Sequence, residues 1–154
     1  MDMKDTPVEP PHPSRDVLDH VGYRLKRAHA ALRGTMDKAL REYDLTVPQY
    51  ACLEVLAARP GLSNAELGRA TFVSRQSMNV VLRGLQDAQL ITRPATVDHG
   101  RARPAHLTEE GRRRLAVAQE SVYAIEARMI SAIRPDRLDA LLKDLDHMTQ
   151  ALDG

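Results

Sequence analysis

The sequence predicts a mainly α-helical fold with a small β-wing, a winged helix-turn-helix that forms a homodimer through its N- and C-terminal helices. Three observations predict it. Between Leu62 and Leu107 the chain reads as a short capped helix, a tight turn, a second capped helix and a basic two-stranded hairpin. On either side of that stretch, apolar residues recur at three- and four-residue steps, the period of an amphipathic helix. Aromatic residues are few, one Phe and four Tyr with no Trp. The core must therefore be aliphatic, which suits helices packing on helices.

Composition narrows the class. A chain of 154 residues is long enough for one domain with a real core. Its 43% hydrophobic and 28% charged residues are those of a globular protein rather than a disordered one. No apolar run approaches the roughly 20 residues of a membrane span. The opening M-D-M-K-D-T-P-V-E-P-P-H-P lacks the charged-then-apolar layout of a secretory signal, so a cytoplasmic location is expected. The lone cysteine, Cys52, agrees with a reducing compartment. The net charge of +1 hides an uneven distribution. Leu62–Leu107 carries six arginines against three acidic residues, whereas from Thr108 onward nine acids outnumber seven bases. Positive charge is thus concentrated where phosphate contacts would use it.

Taken in order, residues 1–13 hold four prolines and little apolar content, which predicts a disordered arm. A single domain is expected over 14–154, with 14–43 and 108–154 as dimerisation helices around a DNA-binding region at 46–107. From Ser14, a plausible N-cap, to Tyr43 the residues Val17, Leu18, Val21, Leu25, Leu32, Met36 and Leu40 share one helical stripe. Gly22 and Gly34 each cost such a helix about 1 kcal/mol against Ala. Close helix approach or local bending would account for them. Thr46-Val47-Pro48-Gln49 is a capping box with proline harmless in the first turn. The helix that follows, Tyr50 to Ala58, is apolar almost all round and belongs in the interior. Pro60-Gly61 ends it.

Ser63-Asn64-Ala65-Glu66 is a second capping box, opening a short helix through Ala70. Thr71-Phe72-Val73 forms the turn, and Ser74, itself a candidate DNA contact, caps the next helix, expected to run to Gln89. There Met78, Val81, Leu82 and Leu85 follow the i, i+3, i+4, i+7 pattern and face the core. The opposite face carries Gln76, Asn79, Val80 and Arg83, with Ser77 beside it. Gln and Asn pair bidentately with adenine, Arg with guanine and Ser with either, while an exposed Val meets a thymine methyl. Arg75 falls near the edge of the buried stripe and suits a flanking phosphate.

Ile91–Val97 and Arg101–Leu107 read as short strands around the turn signal Asp98-His99-Gly100. Pro94 and Pro104 confine them to a small edge-exposed ribbon. Its tip offers His99, Arg101 and Arg103, and an arginine there can enter the narrow, electronegative minor groove. Asp98 braces Arg101 and the turn. Thr108 caps a last long helix with acids in its first turn. Leu115, Ala118, Val122, Ile125, Met129 and Ile133 form its stripe. Arg134-Pro135 breaks it, and Leu138, Leu141, Leu142, Leu145, Met148 and Leu152 define a final amphipathic helix. These stripes exceed what one small core absorbs, which predicts the homodimer.

With R-G-L-Q-D-A-Q-L-I ending the second capped helix and D-H-G-R-A-R-P-A-H-L-T-E-E-G in the hairpin, the chain resembles the MarR family of bacterial transcriptional regulators. The likeness runs from Ser14 to Leu152, with Asp98 and Arg101 on the family's wing Asp and Arg. It implies a winged-helix homodimer on a pseudo-palindromic double-stranded operator, with half-site centres about 34–36 Å apart. It also implies repression relieved by a small aromatic acid or phenolic compound. On the family pattern such a ligand would meet Tyr50, Met36, Arg33 and Tyr123. Family sites built on tryptophan do not transfer, since the chain has none.

Other readings stay open beside this one. A winged-helix DNA-binding or protein-interaction module without ligand control is one, and a redox-responsive regulator using Cys52 is another. Cys52 sits in an apolar helix without a basic neighbour in sequence to lower its pKa, which favours inert burial. No glycine-rich phosphate loop, nucleophile–base arrangement or helical i, i+4 histidine pair is present, so neither enzyme activity, nor a cofactor, nor a metal is expected.

Overall fold

The computed structural model describes residues 16–94 and 104–154. The chain divides into two compact units, residues 1–34 and residues 35–154. In the first, Asp16 caps a 3₁₀ turn, Val17–Asp19, by accepting the Leu18 N–H at 2.9 Å. His20 is extended, and helix α1 starts only at Val21. The long first helix expected from residue 14 thus begins later, and its proposed cap Ser14 lies outside the described residues. Val17, Leu18, Val21 and Leu25, the start of the predicted stripe, are all exposed. A Cβ at Gly22 or Gly34 would meet nothing within 4 Å, so neither glycine serves a close approach within the protomer.

Helix α1 (Val21–Leu40) ends three residues sooner than its stripe suggests. Arg41–Tyr43 tightens into a 3₁₀ turn, and Asp44 closes it in the left-handed region at φ 53°. The Leu45 N–H then returns to the Leu40 carbonyl at 3.1 Å. Tyr43 shares a 2.7 Å hydrogen bond with Ser121, far along the chain.

The second unit is built around α2 (Val47–Ala58), which begins three residues earlier than expected. The Thr46 box is complete. Its hydroxyl accepts the Gln49 N–H at 3.2 Å, and Gln49 Oε1 accepts the Thr46 N–H at 3.0 Å. Tyr50, Cys52, Leu53 and Leu56 are buried, whereas Glu54 is exposed. Around α2 pack α3 (Asn64–Thr71), α4 (Arg75–Asp87) and α5 (Glu109–Ile130). The aliphatic core joins Leu40, Leu53, Leu56, Leu67, Met78, Leu82, Leu85, Leu90 and Leu115. Each fully buried leucine contributes about 2 kcal/mol of transfer free energy, so many modest terms hold this aromatic-poor core together.

A ribbon of two-residue strands, β1 (Ile91–Thr92) and β2 (His106–Leu107), pairs antiparallel with Ile91 opposite Leu107. Among the described residues the ladder ends before Pro94 and begins after Pro104, where a missing N–H would break it. The remainder of the predicted hairpin, Ala95 to Arg103, lies outside the described residues. Gly61, at φ 82°, donates to the Ala105 carbonyl at 3.0 Å and so ties the α2–α3 loop to the ribbon.

α5 starts where Thr108 caps it, accepting the Gly111 N–H at 2.9 Å. Helix α6 (Pro135–Asp153) has no buried residue. Leu141, Leu142 and Leu152 are exposed, as is Met129 on α5. No described helix is long and apolar enough to cross a membrane.

A candidate DNA-reading face on the helix-turn-helix

Helix α3 opens with the second capping box. Ser63 Oγ accepts the Glu66 N–H at 3.2 Å and Glu66 Oε2 accepts the Ser63 N–H at 2.7 Å. The Ser63 backbone N–H, and after it the Ser63 hydroxyl, hold the Glu66 carboxyl below its usual range. The helix ends at Phe72, which is left-handed at φ 58°, and Val73 turns inward against the core. Gly68 makes this turn possible. A Cβ there would lie 2.8 Å from the Val73 carbonyl oxygen.

Ser74 then caps α4, accepting the Ser77 N–H at 3.2 Å while its hydroxyl donates to Ser77 Oγ at 3.0 Å. Met78, Leu82 and Leu85 are fully buried and Val81 is half-buried, as their spacing predicts. On the other side Arg75, Gln76, Ser77, Asn79, Val80 and Arg83 are exposed, Val80 by 71%. The helix closes two residues earlier than expected, because Gln89 adopts φ 59° and the Leu90 N–H folds back to the Leu85 carbonyl at 2.9 Å. All ten sequence-assigned contact residues except three are thereby placed on one capped helix and its N-cap. The three, His99, Arg101 and Arg103, lie outside the described residues.

The structure adds a link that the sequence reading missed. Asn64 Nδ2 donates to Asn79 Oδ1 at 2.5 Å, joining α3 to the exposed polar face of α4. Arg93, just past β1, donates to Asn64 Oδ1 at 3.4 Å and to Gln86 Oε1 at 3.2 and 3.3 Å. One arginine at the root of the wing therefore braces both helices. The capping-box signal explained why Asn64 begins a helix but not where its side chain goes.

The residues assigned to an aromatic ligand differ in setting. Tyr50 is buried, and its hydroxyl donates to Glu54 at 2.6 Å. Burial, then this bond to Glu54 and its charge, then the nearby Tyr123, push the Tyr50 phenol well above its usual range. Met36 is half-buried against the core, and Tyr123 is 60% exposed. Arg33 is exposed in the N-terminal unit. Cys52 is fully buried, and burial pushes its thiol up to about 12, with the Arg93 charge offsetting only part of the shift. Among the described residues no three His, Cys, Asp or Glu side chains gather as a metal site.

A capped helix pair with an outward polar face, backed by an antiparallel ribbon, defines a winged helix-turn-helix protein. Residues 43–102 match the sequence profile of the MarR family. The HTH-type transcriptional repressor Rv2887 of Mycobacterium tuberculosis is 44% identical over 113 residues, which span 73% of this chain and 81% of the relative. The chain belongs to the MarR family. Two solved structures of the M. tuberculosis protein resemble it. The complex with salicylic acid is 40% identical, with a TM-score of 0.66 over 84% of this chain and 96% of that one. The complex with DNA is 36% identical, with a TM-score of 0.69 over 84% and 97%.

Proposed function

We propose that this protein is a homodimeric, sequence-specific DNA-binding repressor that a small aromatic acid releases from its operator. It acts in the cytoplasm, without a cofactor and without enzymatic activity. The observation that carries the reading is the exposed face of α4. Gln76, Ser77, Asn79, Val80 and Arg83 stand outward on a helix whose opposite side buries Met78, Leu82 and Leu85. That chemistry suits base edges in the major groove. A mycobacterial relative of the same fold has been crystallised both with DNA and with salicylic acid. His99, Arg101 and Arg103 reach the minor groove and phosphates from the wing. The exposed leucines of α6 and the exposed stripe of residues 17–25 support pairing with a second copy. Tyr50, Met36 and Tyr123 contribute to the aromatic-acid site.

Fluorescence anisotropy on a duplex taken from upstream of the protein's own gene tests this. Binding should fall steeply with salt, because a dimer using several arginines releases many counterions. Salicylate should weaken that binding while raising the melting temperature of the free protein. A dimer that binds no duplex at low salt would instead favour a protein-interaction module. Binding that salicylate and related aromatic acids leave untouched would remove ligand control alone.

A further inference from the structure

We infer that Phe72, in the turn of the helix-turn-helix, is a DNA contact whose ring packs on the sugar–phosphate strand at the edge of the major groove. The inference rests on the DNA-binding reading and adds a residue to it. Phe72 is the only phenylalanine in a chain without tryptophan, yet it is 98% exposed. The largest apolar ring available is thus withheld from an otherwise aliphatic core. It also occupies a backbone conformation, φ 58° and ψ 33°, that penalises any residue bearing a Cβ. Turns of this kind commonly use glycine. A bulky aromatic there opposes folding on both counts, so its benefit must lie outside the protomer.

The turn presents the ring firmly. Both the Phe72 and Val73 N–H groups bond to the Gly68 carbonyl, the latter at 3.0 Å. Gly68, lacking a Cβ, leaves room for the Val73 carbonyl to close over the turn. Phe72 precedes the α4 cap Ser74 by two residues and so stands at the N-terminal end of that helix. It shares an open recess of about 450 Å³ with Arg69, Ser74 and Arg75. Two guanidinium groups beside an exposed ring match a strand that alternates phosphate charge with apolar deoxyribose. Arg69 and Arg75 take phosphates, and the ring covers the sugar between them. Such a contact fixes register on the duplex and carries no base information.

The test uses the full-length protein with an operator-bearing and a random duplex, and the variants Phe72→Gly and Phe72→Asn. Both replacements suit the left-handed turn, so the free protein should melt at the same temperature or higher. Each should nevertheless weaken binding to both duplexes by about tenfold, the loss expected from leaving most of one aromatic side chain uncovered. Phe72→Tyr, which keeps the ring, should bind within about twofold of wild type on the same reasoning. The operator-to-random ratio and the salt slope should not change, since no charge is removed. Wild-type affinity in the Gly and Asn variants would overturn the inference and point the ring toward a protein partner. A loss confined to the operator would also overturn it, showing a base contact in place of a backbone one. Failure of the wild-type protein to bind either duplex would overturn the regulator reading itself.

Discussion

Asn64 on α3 holds Asn79 on α4 through a 2.5 Å hydrogen bond, and Arg93 at the root of the wing holds Asn64 in turn. An asparagine reads adenine with both its oxygen and its nitrogen, and only one amide rotamer presents the pair correctly. The Asn79 oxygen has two lone pairs, so accepting from Asn64 leaves one for a base while fixing the side chain's orientation. The proposed reading face and the end of β1 are therefore coupled through α3.

Loss of that brace should look like loss of the reader. Asn64→Ala is expected to lower operator affinity by about three- to tenfold, the worth of one hydrogen bond, with little change on random DNA. The double variant Asn64→Ala/Asn79→Ala should bind no worse than Asn79→Ala alone, because Asn64 acts through Asn79. Anisotropy titrations of the four proteins close the cycle. Additive losses would show that the two residues contribute separately.

The junction between wing and α5 leaves no room for a side chain. A Cβ at Gly111 would lie 2.1 Å from the Leu90 carbonyl oxygen and 3.0 Å from its carbon. The same carbonyl accepts the Thr108 N–H at 3.0 Å, and the Thr108 hydroxyl donates to the Gln89 carbonyl at 2.7 Å. Backbone held from two sides cannot yield as a flexible side chain would. Gly111→Ala should therefore destabilise the protein by about 3 kcal/mol and lower its melting temperature by roughly 5–10 °C. A calorimetric scan within a degree or two of wild type would show that the ribbon shifts freely against α5.

What the sequence made legible was whatever repeats or sits at a fixed offset. The boxes at Thr46 and Ser63 and the caps at Ser74 and Thr108 are local, and each forms as its spacing predicts. The periodic separation of Met78, Leu82 and Leu85 from Asn79, Val80 and Arg83 follows from helix geometry alone. Left-handed residues are harder. Asp44, Phe72 and Gln89 take positive φ without being glycine, and each ends a helix at a point its apolar stripe does not mark. The Asn64–Asn79 and Asn64–Arg93 pairs are 15 and 29 residues apart. No period relates such pairs, so only the packed fold brings them together. Arg93 likewise lies near Cys52 in space but not in sequence.

The first turn of α5 should show an acid-sensitive contribution. Glu110 accepts from Arg113 at 2.6 and 2.8 Å and from Arg114 at 3.4 Å. The Arg113 bond chiefly holds the Glu110 carboxyl down at about 2, against an ordinary 4.5. A depressed carboxylate stabilises the fold above its unfolded value and loses that contribution as pH falls toward the folded one. Wild type should thus melt higher than Glu110→Gln near neutral pH, and the gap should close between pH 4.5 and about 2. Arg113 is solvent-exposed and Glu110 partly so, so added salt should narrow the gap. A gap that does not depend on pH would place its origin elsewhere than in this carboxylate.

Cys52 should behave as an inert core residue. Its thiol is buried beside Leu53 and Leu56 and is held up at about 12, so the reactive thiolate is scarce near neutrality. An acid whose folded value is raised destabilises the fold once its unfolded form ionises. Stability should therefore decline as pH rises past 9, the ordinary thiol value, with the buried Tyr50 phenol adding to the decline at higher pH. Cys52→Ala should remove the earlier part of that decline. Iodoacetamide should label the native protein only as fast as it unfolds, and peroxide should leave operator binding unchanged near neutral pH. Rapid native labelling, together with a peroxide-induced loss of binding that Cys52→Ala abolishes, would establish Cys52 as a redox sensor and would require this part of the core to open on the timescale of the oxidation.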